Sequence, residues 1–225
     1  MSRISETVIN EMFESGAHVG YSKSRRHPSV KQFIFESRKT KDIIDLEKTG
    51  LQVNTVVEFL KGLSGTDHQI LFVGTKPEAK RIVREAAELI DMPFVTERWL
   101  GGTLTNAHEL KKRISRLVLL SDQSEKGELI AATKKERLML GREIERLERK
   151  FGGLRSMKRS PVALFVVDPR KEHIAVEEAR QMNVPVIALA NTDCDISNIA
   201  YPIVANDTSL SSIALFTKKI ANALK

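Results

Sequence analysis

Near the start of the chain the apolar positions recur every four residues, at Ile4, Val8 and Met12, with Ile9 and Phe13 beside them. That spacing predicts a short amphipathic helix, which Gly16 can end in the left-handed conformation. The segment GYSKSRRHPSVKQ that follows has only Tyr21 and Val30 as apolar groups and contains Pro28. It reads as an extended basic arm or loop, unable to form a buried element by itself. Residues 32–36 (QFIFE) and 42–46 (DIIDL) are short bursts of strand type, and residues 52–63 show helical spacing at Val53, Val56, Val57 and Leu60.

From residue 69 the pattern becomes regular. QILFVG is a continuous apolar run closed by Gly74, residues 77–90 read as a helix with Pro77 in its first turn, and PFVTE is a second short strand. PVALFVVD, a helix over 173–182, PVIALA, YPIVA and a helix over 209–224 continue the alternation. Apolar runs without two-residue alternation indicate strands covered on both faces, and strands alternating with helices indicate a doubly wound, mainly parallel α/β sheet in three layers.

A different pattern separates the two halves. Ala107, Leu110, Ile114 and Leu117 step by three and four, as do Leu140, Ile144, Leu147, Phe151 and Leu154, with a polar stretch around Gly127 between them. This predicts an antiparallel helical hairpin with a narrow coiled-coil seam over 105–159, inserted into an α/β body formed by 1–104 and 160–225. Its charged flanks, KKRISR and REIERLERK, leave only the seam to bury, so its base must be anchored on the body.

Composition adds compartment and partner. The chain of 225 residues is 41% hydrophobic with mean hydropathy −0.22, enough for one core. It has no apolar run long enough to cross a membrane and no secretory h-region, and a single cysteine, Cys194, so a reducing cytosolic setting is expected. The net charge is +7, and it is concentrated. Residues 105–160 hold 15 Lys and Arg against 8 Asp and Glu, and residues 21–41 hold 7 against Glu36 alone. Two such segments on an otherwise acidic chain point to a polyanion, although solvated surface charge is the commoner meaning of any one run.

Enzyme motifs fare poorly. A parallel sheet gathers GTK, ERWLGGTLTN, DPRKEH, NTDCD and ANDTS along its carboxyl edge, where such folds bind ligands. FVGTKPEA nevertheless supplies one glycine where phosphate-cradling loops need several, and reads better as a plain strand-to-helix turn. The five histidines show no ligand spacing, and Cys194, between Asp193 and Asp195, is a poor nucleophile. Asp193, Asp195 and Ser197 begin like a calcium loop, but Asn198 and Val204 stand where Gly and Glu belong. Asp193 and Asp195 remain only a candidate for an adventitious cation, and no cofactor is expected.

Trp99, the only tryptophan, sits before Gly101 and Gly102, where it would either stack on a base or plug the space between the sheet edge and the hairpin. Arg25, Arg26, Arg38 and Lys39 are suited to phosphates. With 12 aromatics in the chain, folded RNA read by shape and phosphate geometry fits better than base-by-base stacking.

The blocks SGAHVGYSKSRRHPSVKQFIFESR, IIDLEKT, ILFVGTK, ERWLGGTLTN, TKKERLMLGREIERLERKFGGLRSM, PVALFVVDPRKEHIAVEEA, VPVIALANTDCD and YPIVANDTSLSSI cover nearly the whole chain. In this order they closely resemble the S-two family of bacterial small-subunit ribosomal proteins. The resemblance implies a flavodoxin-like body with an inserted helical hairpin and a non-enzymatic role in the cytoplasmic ribosome. It also implies binding to small-subunit ribosomal RNA, late assembly, neighbouring ribosomal proteins as partners, and docking of the messenger-binding ribosomal protein one. Carried over by motif, the RNA-contacting candidates are Lys23, Arg25, Arg26, Arg38 and Lys39, then Arg98, Trp99 and Asn106, then Arg155 and Lys158. His27 departs from the aromatic residue many members place before the first-block proline, and the charged tail of many members does not follow Lys225. Two other classes stay open at this point, a nucleotide-binding α/β enzyme using the sheet edge and a protein-docking module.

Overall fold

In the computed structural model, which describes residues 5–38, 40–63, 68–127 and 133–224, the first helix α1 (Glu6–Glu14) ends at Gly16 with φ of 74°. Two 3₁₀ turns follow, Lys23–Arg25 and Pro28–Phe33, then an antiparallel pair, β1 (Ile34–Arg38) and β2 (Lys41–Ile44). Helix α2 (Leu46–Lys61) begins earlier than its apolar spacing suggests, because the Asp45 carboxylate accepts from the amides of Glu47 and Lys48 and so caps the first turn.

The sheet proper comprises β3 (Ile70–Val73), β4 (Phe94–Val95), β5 (Ala163–Val167), β6 (Val186–Ala190) and β7 (Tyr201–Val204). All pairings are parallel, in the order β4-β3-β5-β6-β7. That is the flavodoxin-like order, with its reversal between β3 and β5. Alternate residues of each strand enter opposite layers. Phe72, Phe165, Ile187 and Ile203 meet α2, α3 (Pro77–Glu88) and α7 (Leu210–Ala223), while Leu71, Leu164, Val166 and Ala188 meet α6 (His173–Gln181).

Between β4 and β5 the chain forms α4 (Ala107–Glu125) and α5 (Lys134–Phe151), which pack against each other. Leu110, Leu117, Leu120, Leu147 and Phe151 are buried, whereas Leu138 and Met139 near the start of α5 are exposed. Thr133 and Glu136 form a reciprocal capping box that starts α5. The polar stretch expected around Gly127 is described only as far as Gly127, and residues 128–132 lie outside the described residues.

Both margins of the sheet are closed. At β7 the Val204 amide donates to Gln52 Oε1 (2.9 Å) and the Val204 carbonyl accepts from Thr49 Oγ1 (2.6 Å), both from α2. At the two-residue β4, Gly153 lies so close to the Phe94 carbonyl and ring that no side chain fits there.

Candidate nucleic-acid interface

The crevice where a flavodoxin-like sheet takes a ligand is filled by this chain's own side chains. Lys76, in the loop after β3, places Nζ 3.0 Å from Asp168 and 2.9 Å from Asp207. Asn191 Nδ2 donates to Asp207 Oδ1 (2.9 Å), Thr75 Oγ1 donates to Glu172, and Lys171 Nζ donates to the Thr75 carbonyl (3.2 Å). Burial opposes the Lys76 charge, but the two carboxylates outweigh it and hold the ammonium well above its ordinary pKa. Burial pushes the Asp207 and Glu172 carboxyls up. Cys194 is fully buried beside Asp168 and Asp193, and desolvation followed by these charges drives its thiol far above the reactive range.

The basic arm is fastened to the same carboxyl edge. The Tyr21 amide donates to Thr192 Oγ1 (2.9 Å) and the His27 amide to the Thr192 carbonyl (2.8 Å). Gly20 passes so near Thr192 that a Cβ there would meet its methyl group at 2.6 Å. Val30, read as too isolated to build a buried element, is fully buried against this surface, so an anchored strap replaces a free extended arm.

This anchoring separates the arm's cations by role. Lys23 and Arg25 are exposed; the Arg25 guanidinium lies 4.5 Å from the centre of the Tyr21 ring and 3.9 Å from Asp193. Arg26 turns inward, with NH1 3.5 Å from Oδ1 of the fully buried Asp42, whose other partner is Ser37 (2.5 Å). Arg38 is exposed and paired with Glu36 at 3.0 Å, and Lys39 lies outside the described residues. His27 accepts from the Ser29 amide through Nδ1, which gives it a structural duty in place of an aromatic surface.

The second block also divides. Arg98 and Asn106 are exposed, but Trp99 is 5% exposed and donates Nε1–H to Glu178 Oε1 (3.0 Å). The stacking alternative for Trp99 is therefore corrected: its ring packs in the layer formed with Val95, Leu104 and Leu110. Glu178 escaped the sequence reading. Its two oxygens also accept from the amides of Gly102 (2.8 Å), Leu104 (3.0 Å) and Thr105 (3.3 Å), so one carboxylate shapes the whole WLGGT loop. These donors outweigh the cost of burying the charge and lower its pKa. The signal was present, because Glu178 shares the inward stripe of α6 with Ala175 and Ala179.

Arg155 and Lys158 precede β5 and so lie at the amino edge, opposite the arm, across a strand about 16 Å long. Lys158 is exposed, with its amide tied to Gln69 Oε1 (2.8 Å), and Arg155 pairs with Glu148 and donates to Ser121 (3.0 Å). The structure thus gathers Lys23, Arg25 and Arg98 toward the carboxyl edge and holds Arg155 and Lys158 apart from them. Asp193 is engaged by Arg170 NH1 at 2.6 Å and Asp195 by the Ser197 amide. Among the described residues no group of three or more His, Cys, Asp and Glu could hold a metal ion, and no helix is long and apolar enough to cross a membrane.

Comparison with known proteins identifies the family. The family model described as ribosomal protein S2 matches residues 12–225. A relative in Mycobacteroides abscessus named small ribosomal subunit protein uS2 is 44% identical over 216 residues, covering 96% of this chain and 78% of the relative. Proteins of the same name in Dehalococcoides mccartyi (42% identical; 97% and 89% covered) and Chlorobium chlorochromatii (43%; 96% and 86%) are similar over the same extent. With a sheet in flavodoxin-like order and matches that run the length of the chain, this protein belongs to the ribosomal protein S2 family.

Proposed function

We propose that this protein is a structural component of the small ribosomal subunit, bound to its RNA through the anchored strap and the surfaces of α4 and α5. The observation that carries the reading is the contrast at the carboxyl edge. The ligand crevice is occupied by Lys76, Asp168 and Asp207, while Lys23, Arg25 and Arg98 stand exposed around it. A preformed surface of this kind suits phosphate neutralisation, in which a rigid body fixes the spacing of the cations and the RNA supplies the charge. Members of this family are structural proteins rather than enzymes, and the relatives carry the name of a small-subunit protein. Support for subunit assembly and for docking of the messenger-binding protein one follows from the family resemblance and belongs to the same proposal, as does a boundary between the α/β body and the residues 105–159.

Co-sedimentation with small subunits lacking this protein, at low and at high salt, tests the reading. Association at low salt that declines as salt rises is expected; a folded protein that stays at the top of the gradient in both would overturn it.

A further inference from the structure

The most exposed large apolar side chain described is Phe35, at 75%. Its position has a specific cause. In the β1–β2 pair Ile34 faces Ile44 and Glu36 faces Ile43, so Phe35 is the extra residue of a β-bulge with no partner across the ladder. A bulge re-aims a side chain, and here it presents an aromatic ring to solvent directly after two inward-packing residues, Phe33 and Ile34.

The end of the same ladder is cationic. Arg38 and Lys41 stand directly opposite each other across the ladder, an unfavourable like-charge pair that a strand pairing for stability alone would avoid. Among the described residues Arg38 is relieved by Glu36, at 3.0 Å, and Lys31 is exposed one turn before the strand. The hairpin is held on the carboxyl side of the molecule, since the Asp45 amide donates to the Phe33 carbonyl and α2, which Asp45 caps, bonds the carboxyl end of β7 through Thr49. Phe35 therefore shares a side with Lys23 and Arg25.

We propose that Phe35 is a stacking platform for an unpaired nucleobase of the ribosomal RNA, with Arg38 and Lys41 taking the adjoining phosphates. This rests on the RNA-binding reading above and adds a base contact to it. An aromatic face accepts any base, so the contact gives affinity and register without sequence choice, and a phosphate between Arg38 and Lys41 relieves their mutual repulsion. A hydrophobic pocket on a neighbouring protein is the rival occupant, and it is disfavoured by the like-charged Arg38 and Lys41 at the end of the same ladder.

The test uses the full chain with small subunits that lack it, comparing the native protein, Phe35→Ala, Phe35→Leu and Phe35→Trp. Phe35 is exposed, so none of these disturbs a packed core. Phe35→Ala and Phe35→Leu are expected to weaken binding about tenfold with an unchanged salt slope, because no phosphate contact is removed. Phe35→Trp is expected to retain affinity, and its added fluorescence to be quenched on binding against the constant background of buried Trp99. Binding by Phe35→Ala within twofold of native overturns the stacking site while leaving the RNA reading intact. Full rescue by Phe35→Leu overturns it in favour of a protein pocket. Failure of the native protein to bind removes the RNA reading and this contact with it.

Discussion

Lys76 spans the mouth of the sheet to reach Asp207 at 2.9 Å, and the same ammonium lies 3.0 Å from Asp168. One buried carboxylate, Asp207, and one partly exposed, Asp168, thus share a single cation. Lys76→Met leaves them facing each other and is expected to cost about 3 kcal/mol near neutral pH. Burial already raises the Asp207 pKa, and a group raised on folding favours the folded state at low pH and loses that contribution as pH rises through its folded value. The variant should therefore regain stability as pH falls from 7.5 toward 5.5. Urea midpoints at the two pH values check this, and equal midpoints for native and variant at pH 7.5 would show that the cluster is indifferent to its cation.

Glu178 has the opposite pH sign. Its carboxyl is lowered on folding, so its contribution is full above the usual carboxylate range and disappears as pH falls through the folded value. Glu178→Gln turns one oxygen into a donor facing other donors, and a loss of about 2–3 kcal/mol is expected. The emission of Trp99 reports it directly: a red shift at neutral pH in the variant, and in the native protein only on acidification. An unshifted spectrum in Glu178→Gln would mean that the WLGGT loop is shaped by packing alone.

Thr192→Val keeps the volume but removes the oxygen that accepts from Tyr21. About 1–2 kcal/mol of local stability should be lost from the strap. Amide exchange at residues 21–27 should accelerate several-fold, while α2 and the central strands exchange as before. Uniform protection in native and variant would assign the strap's order to Val30 instead.

Arg25 and Arg26 are neighbours with different duties, and charge reversal should separate them. Lys23→Glu with Arg25→Glu is expected to leave the melting temperature within a few degrees and to reduce the salt slope of subunit binding by about 2, one per phosphate contact. Arg26→Glu places a carboxylate beside buried Asp42 and is expected to destabilise by about 3 kcal/mol or more. An Arg26→Glu protein as stable as native would return Arg26 to the group of free phosphate ligands.

The parallel sheet was legible because β3, β5 and β6 are covered on both faces, and such strands leave unbroken apolar runs in the sequence. The start of α2 was misread, since Leu46 is apolar in either element and the deciding contact is the side chain of Asp45 on two amides. The division within the arm was hidden for a related reason. Arg25 and Arg26 have the same formal charge, and only the approach of β2, bearing Asp42, decides which of them is spent inside. Phe35 was unreadable because a bulge leaves no mark in hydrophobic periodicity. Glu178 was readable, as an acid on an inward stripe, and was passed over for the charges in plain view.

The closed margins of the sheet bear on the life of the chain outside any assembly. A parallel sheet with a free edge is a template onto which another chain can add a strand, and a protein with an apolar core of this kind is exposed to that hazard whenever it is unbound. Here the amide and carbonyl of Val204 are taken by Gln52 and Thr49, and the opposite edge is only two residues long with Gly153 pressed upon it. Strand addition to the isolated protein is thereby opposed by contacts internal to its body.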